Sequence, residues 1–246
     1  MLLFDAGNSR CKWAWIENDV WLQQGVLDNA DNAAWVTLQQ TFATLPAPQK
    51  ILVSNVAGKV AEQRLRALCN GWNVPVEMIV ASAKQCGVHN SYAKAAQLGS
   101  DRWAALIAAR HRVKQACLVV NCGTATTVDA LTENGEFLGG LIIPGLSVMR
   151  RSLLSNTALP AYLNVDFPAN VILHDFPDNT QDAIATGVIR ASIAVIQHQY
   201  NLLAGTTGAH CIVSGGAAHI IVQHLKCPAE QVENLVLQGM KIIGQQ

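Results

Sequence analysis

Charge is scarce in this chain of 246 residues: Asp, Glu, Lys and Arg make up 14% of it, 17 acidic residues balance 17 basic ones, and the formal net charge is zero. No run of Lys or Arg occurs, which argues against nucleic acid or an anionic membrane as a partner and leaves room only for a local basic pocket. Long apolar runs are missing as well. The nearest approach, Ile184 to Ile196, is interrupted by Arg190 and falls short of the roughly 20 residues that span a bilayer. A strand-like run starts directly after Met1, which leaves no room for a secretory leader, so a cytoplasmic location is expected. The seven cysteines form no Cys-x-x-Cys pair and are odd in number, the pattern of reduced core thiols. The seven histidines show no His-x3-His spacing and no neighbouring cysteine pair, which argues against structural zinc.

What the chain does have is apolar content, 50% of its residues, enough to bury extended sheets. Its organising stretch is Leu2-Leu3-Phe4-Asp5-Ala6-Gly7-Asn8-Ser9-Arg10-Cys11-Lys12. A buried strand stops on a carboxylate and turns through glycine into polar residues. Gly7 permits close backbone approach, and exposed amides with Asn8, Ser9 and Lys12 are suited to cradle phosphate oxygens, with Asp5 facing a metal ion.

One such segment says little, but the chain repeats it. Leu118-Val119-Val120-Asn121-Cys122-Gly123-Thr124 places Asn121, Gly123 and Thr124 in the relative positions of Asp5, Gly7 and Asn8. Both copies continue alike, with second strands over Lys12–Glu17 and Thr126–Leu131, turn residues at Asn18-Asp19 and Glu133-Asn134-Gly135, and third strands over Val20–Leu27 and Glu136–Leu141. The chain therefore reads as two related halves, residues 1–115 and 116–246, each opening with a three-stranded meander. Two phosphate hairpins facing one cleft imply a nucleotide.

The first half continues as α/β alternation: helices over Asp31–Leu45 and Val60–Leu68, strands over Ile51–Val56 and Val76–Val80. Then comes Tyr92, followed by Leu98-Gly99-Ser100-Asp101-Arg102-Trp103 at the start of a helix that runs to Arg110. Ser100 suits an N-cap, and Asp101 in the first turn complements the helix dipole. Arg102 beside it adds a second reading, in which the guanidinium forks onto a substrate carboxylate and Asp101 takes a proton from a hydroxyl nucleophile.

In the second half, Gly139-Gly140 and Pro144-Gly145 lead into a helix over Ser147–Leu154, and Asn156–Pro177 reads as a loop-rich excursion. Thr180 stands as N-cap of a long helix over Gln181–Leu203. Cys211-Ile212-Val213-Ser214-Gly215-Gly216 reads as a strand and a double-glycine turn, suited either to an adenosine or to tight strand-to-helix packing.

Three elements in this order, Asp5-x-Gly7-Asn8-Ser9-x-x-Lys12, Gly99-x-Asp101-Arg102 and Gly123-Thr124-Ala125, resemble the type III pantothenate kinases, also called the Bvg accessory factor family. The resemblance spans essentially the whole chain. It implies a duplicated α/β fold of ribonuclease H-like domains, like those of actin, acetate kinase and the sugar kinases, with a cleft between them. The implied reaction moves the γ-phosphoryl group of ATP to the primary hydroxyl of pantothenate, the first step of coenzyme A synthesis. The resemblance further assigns Asp5 to Lys12 and Thr124 to ATP, Asp101 to the proton-accepting role, and Tyr92, Gly99, Ser100, Asp101, Arg102 and Thr180 to pantothenate. It implies Mg²⁺ held through water by Asp5, a monovalent cation (K⁺ or NH₄⁺), and a homodimer whose interface carries the active sites, with Thr180 acting across it.

One position departs from the family pattern. Its second hairpin usually opens with an aspartate that helps hold the monovalent cation, and this chain has Asn121. An amide oxygen ligates potassium without contributing charge, so weakened cation dependence is expected, with Asp129 able to compensate unless it is merely a solvated strand residue. Two rival readings share the fold: a kinase or phosphatase of another small alcohol, and a nucleotide-sensing regulator without turnover.

Overall fold

The run Leu2-Leu3-Phe4 is buried on both faces because it lies in the middle of a sheet. The computed structural model describes residues 1–155, 167, 171–205 and 208–246. The chain divides into two compact units, Met1–Ala108 with Leu235–Gln246, and Ala109–Asn234.

In the first unit, β1 (Leu2–Ala6), β2 (Arg10–Glu17) and β3 (Val20–Asp28) form an antiparallel meander. Asn18 and Asp19 turn β2 into β3 with φ of 46° and 67°, the left-handed pair that two-residue hairpins need. Helix α1 (Asn32–Ala43), capped by Asp31, leads to β4 (Ile51–Asn55), which pairs parallel with β1. Helix α2 (Lys59–Cys69) leads to β5 (Val76–Met78), parallel to β4, and the sheet order is β3-β2-β1-β4-β5. One face is filled by aromatic packing: Phe42 of α1 meets Phe4 and Trp13 edge-on at 6.1 and 5.2 Å. A small hairpin, β6 (Lys84–Gln85) and β7 (Val88–Asn90), precedes α3 (Ser100–Arg112), within which the two units meet along the chain.

The second unit repeats this plan. Strands β8 (Cys117–Cys122), β9 (Ala125–Leu131) and β10 (Glu136–Pro144) form an antiparallel meander. Helices α4 (Leu146–Ser155) and α5 (Thr180–Ala204) precede β11 (His210–Ser214), parallel to β8, and α6 (Ala218–Val222) leads to β12 (Ala229–Gln231), parallel to β11. The five strands of this unit follow the order β10-β9-β8-β11-β12 within a seven-stranded sheet, matching the five of the first sheet one for one. Its core places Ile189, Ile196 and Tyr200 of α5 with Leu118, Val120 and Val213.

Two expectations shift. Helix α7 (Leu235–Gly244) joins the first unit, whereas a division at 115/116 keeps it with the second. Its apolar stripe packs on β1, β2 and β4, and Gly239 lets its backbone close on Ala104 of α3. The long helix begins at Thr180, and its cap is Asn179, whose side chain accepts a 3.0 Å bond from the Asp182 amide. Most of the expected excursion, residues 156–166 and 168–170, lies outside the described residues, and residues 171–177 carry neither helix nor strand. Among the described residues, no helix is long and apolar enough to cross a membrane, and all seven cysteines are free.

Candidate active site

Strand β1 ends on Asp5, and the register pairs Asp5 directly with Lys12 across the hairpin, so the two side chains share one face of the sheet. The connecting loop is tied down from β3's end. Asn29 donates from Nδ2 to the carbonyls of Gly7 (2.8 Å) and Asn8 (2.9 Å), and its amide donates to the Ser9 carbonyl at 3.0 Å. Three loop carbonyls are thereby taken up by the protein, which fixes the loop and suits its opposite edge to an anion. Asn29 is invisible to motif reading because it stands far along the chain. Of the expected nucleotide contacts here, Asn8, Ser9 and Arg10 are exposed, Gly7 and Lys12 are half-buried, and Ala6 and Cys11 are buried, their backbones alone suited to contact.

Asp5 is only partly open to solvent. Burial pushes its carboxyl up to about 7, the neighbouring charge of Asp101 adds to the rise, and Lys12 opposes it. A carboxylate in that position gains from a cation beside it, so Asp5 fits a metal-side ligand. Among the described residues no group of three or more His, Cys, Asp or Glu side chains is placed to hold a metal ion.

Asp101 lies in the first turn of α3. The Gly99 carbonyl accepts the first helical bond from the Trp103 amide at 2.9 Å, so the capping position belongs to Gly99 and not to Ser100. A Cβ on Gly99 would lie 2.6 Å from Asp101 Oδ1, too close for any side chain without moving the carboxylate. Asp101 Oδ1 accepts the Arg102 amide at 2.8 Å, which is the dipole-complementing contact expected of an acid at a helix start. Burial nonetheless raises its pKa, opposed by that amide and by the Arg102 guanidinium. The carboxylate is thus both held and made more basic than usual.

Arg102 is buried, 7% exposed, and donates from Nη1 to Tyr92 Oη at 3.2 Å while its guanidinium lies 5.9 Å from the Tyr92 ring centre. Tyr92 is set by Asn90, whose Oδ1 accepts the Tyr92 amide at 3.0 Å. A cation behind a tyrosine hydroxyl, next to a carboxylate made more basic, has the chemistry to receive a small molecule carrying both a carboxylate and a hydroxyl. The first unit therefore brings together Asp5, Lys12, Tyr92, Gly99, Ser100, Asp101 and Arg102.

Asn121, Thr124 and Thr180 belong to the second unit. Thr124 is exposed in the β8–β9 turn, where its carbonyl accepts the Gly145 amide at 2.9 Å. Gly215, at φ +99°, lies against the same hairpin, and a Cβ there would sit 2.5 Å from the Cys122 carbonyl oxygen, so strand-to-helix packing accounts for that glycine. Asn121 is in register with Thr127 and Ser214, and Val119 with Asp129, which puts Asn121, Thr127, Ser214 and Asp129 on one sheet face. Asp129 is 1% exposed, so it is not a solvated strand residue. Thr180, exposed on α5, lines with Asn179 a groove of about 910 Å³ between α4 and α5, whose walls include Val148, Leu153 and Ile184.

The family model of type III pantothenate kinase matches residues 1–202. The type III pantothenate kinase of Nitrosomonas eutropha is 42% identical over 249 residues, covering 99% of this chain and 94% of the relative. Among solved structures, a conserved Baf family protein from Campylobacter jejuni superposes with a TM-score of 0.65 at 22% identity, over 100% of this chain and 98% of that one. A candidate 2-dehydro-3-deoxygalactonokinase from Sinorhizobium meliloti gives a TM-score of 0.62 at 15% identity, over 99% and 95%. The structural matches carry the duplicated sugar-kinase-like fold, and the sequence matches carry the family: this chain belongs to the type III pantothenate kinases.

Proposed function

We propose that Asp101 is the general base of an ATP-dependent pantothenate kinase, the first enzyme of coenzyme A synthesis. The observation that carries this reading is a half-buried Asp101 with a raised pKa, next in the chain to the Arg102 that bonds Tyr92 and close enough to Asp5 to raise its pKa as well. Arg102 pairs with the pantothenate carboxylate, and Tyr92 with the Gly99–Ser100 segment shapes the seat around it. Asp101 takes the proton of the primary hydroxyl as that oxygen attacks the γ-phosphorus and the bond to the ADP oxygen breaks.

Phosphoryl transfer asks mainly for positioning and for charge neutralisation on the phosphate oxygens. The Gly7–Arg10 loop amides and the Lys12 ammonium supply these from the first unit, and Thr124 on the corresponding turn of the second unit is a further nucleotide contact. Asp5 would hold Mg²⁺ through water, where the ion would supply charge neutralisation to the phosphates. For the monovalent cation, Asn121 offers a neutral oxygen and Asp129 the carboxylate on that face.

Two copies associate in this reading over the α4–α5 groove, so that Thr180 of one chain completes the pantothenate seat of the other. The apolar walls of that groove favour such burial. A cytoplasmic location goes with the substrates. Coupled ADP release with and without pantothenate tests the proposal: ADP release that depends on pantothenate is expected, and equal release in its absence overturns it.

A further inference from the structure

Ser54 is fully buried in β4, at 0% exposure, and its Cα partner on β1 is Asp5. Lys12, Asp5 and Ser54 thus stand side by side across three strands on one face of the sheet. The Ser54 hydroxyl lies 3.0 Å from the hydroxyl of Ser100, itself 7% exposed and next in the chain to Asp101. The segment after Ser54 repeats this bridging. The Val56 amide donates to the Ala6 carbonyl at 3.0 Å, and Val56 Cγ1 lies 3.7 Å from the point a Cβ on Gly99 would occupy. The end of β4 therefore touches the strand carrying Asp5 and the helix start carrying Asp101.

Packing alone does not ask for serine here. Alanine fills nearly the same volume, whereas a buried hydroxyl is costly unless it is paired. This pair joins two elements that sequence separates widely, at the point where one presents Asp5 and the other Asp101. We infer that Ser54 is a positioning residue for catalysis, fixing Ser100 and through it the aim of the Asp101 carboxylate relative to Asp5. The inference rests on Asp101 being the base.

The test is steady-state ADP release with pantothenate, using wild type, Ser54→Ala, Ser54→Thr, Ser100→Ala, Asp101→Asn and the double variants. Ser54→Ala is expected to lower kcat about tenfold, the scale of a modest misplacement of a reacting group, with KM for ATP unchanged. Ser54→Thr keeps the hydroxyl and restores most of the rate. Ser54→Ala with Ser100→Ala is no slower than the slower single variant, because both break the same contact. In the Asp101→Asn background, Ser54→Ala leaves the residual rate unchanged.

The inference is overturned if Ser54→Ala turns over within about twofold of wild type, or if it slows the Asp101→Asn enzyme by the same factor as wild type. Should Ser54→Ala fail to fold, Ser100→Ala decides, since it breaks the pair from the helix side, and an unchanged kcat there overturns the inference. A wild type without pantothenate-dependent turnover removes the assignment and this inference together, whereas an active wild type with an indifferent Ser54→Ala removes the inference alone.

Discussion

Asp5 and Asp101 stand close enough that the charge on Asp101 opposes the ionisation of Asp5. Asp101 is itself raised, by burial first, against the lowering influence of the Arg102 amide and guanidinium. A base works only when ionised, so the rate falls as pH drops through its pKa. The acid limb of kcat/KM for pantothenate is therefore expected above the ordinary aspartate value of about 3.9. A profile flat down to about pH 4 would remove either the burial effect or the role of Asp101.

On the proposal that Asp101 is the base, replacing it should leave nucleotide binding intact. Asp101→Asn is expected to lower kcat by about 10²–10⁴, the usual worth of general-base catalysis, while ATP affinity measured by calorimetry stays near wild type. Turnover close to wild type in this variant would return Asp101 to the plain role of complementing a helix dipole.

Asp5 should reveal itself through stability. Its pKa in the folded chain, about 7, lies above the ordinary 3.8, so folding favours its protonated form. The sign follows: the favourable contribution is full below the unfolded pKa and is lost as pH rises through the folded one. Without nucleotide or divalent cation, Asp5→Asn should melt with wild type near pH 4 and above it by pH 8, by about 2–4 °C for each kcal/mol of relieved cost. Turnover is expected to be lost in the same variant. A variant that melts lower than wild type at pH 8 contradicts the strained carboxylate.

Asn121 tests the proposed monovalent cation site. Activity titrated with potassium is expected to rise weakly in wild type and more steeply in Asn121→Asp, which restores a carboxylate to the face shared with Asp129. Strong saturable activation of the wild type, equal to that of Asn121→Asp, refutes the idea of a weakened site.

Thr180 offers a test of the two-copy arrangement. Asp101→Asn and Thr180→Arg chains, each expected to be nearly inactive alone, should regain activity when refolded together, up to about a quarter of wild type, because half of random dimers are mixed and each holds one intact site. No recovery, with dimers shown by light scattering, places Thr180 outside the partner's seat.

Much of this was legible in the sequence because the signals are local. Leu2-Leu3-Phe4-Asp5 and Leu118-Val119-Val120-Asn121 announce strands that end in polar turns, and their repetition is matched by the same order of five strands in each unit. Asn29 and Ser54 escape such reading, since each matters through a contact made far along the chain, with Gly7 and Asn8 or with Ser100. Thr180 and Asn179 are both good caps by composition, and only the bond from the Asp182 amide distinguishes them. The burial of Asp129 was equally hidden, because a lone carboxylate on a strand reads as solvated until strands close over both sides.

Helix α7 has a consequence for how the protein is made. The face of the first sheet that carries Leu52 is covered by a segment that the ribosome delivers only after all of Ala109–Asn234. The second unit is continuous in the chain and can settle while synthesis proceeds, but the first must wait with an apolar surface uncovered. Birth order and assembly order therefore run opposite ways: the half that emerges first is finished last.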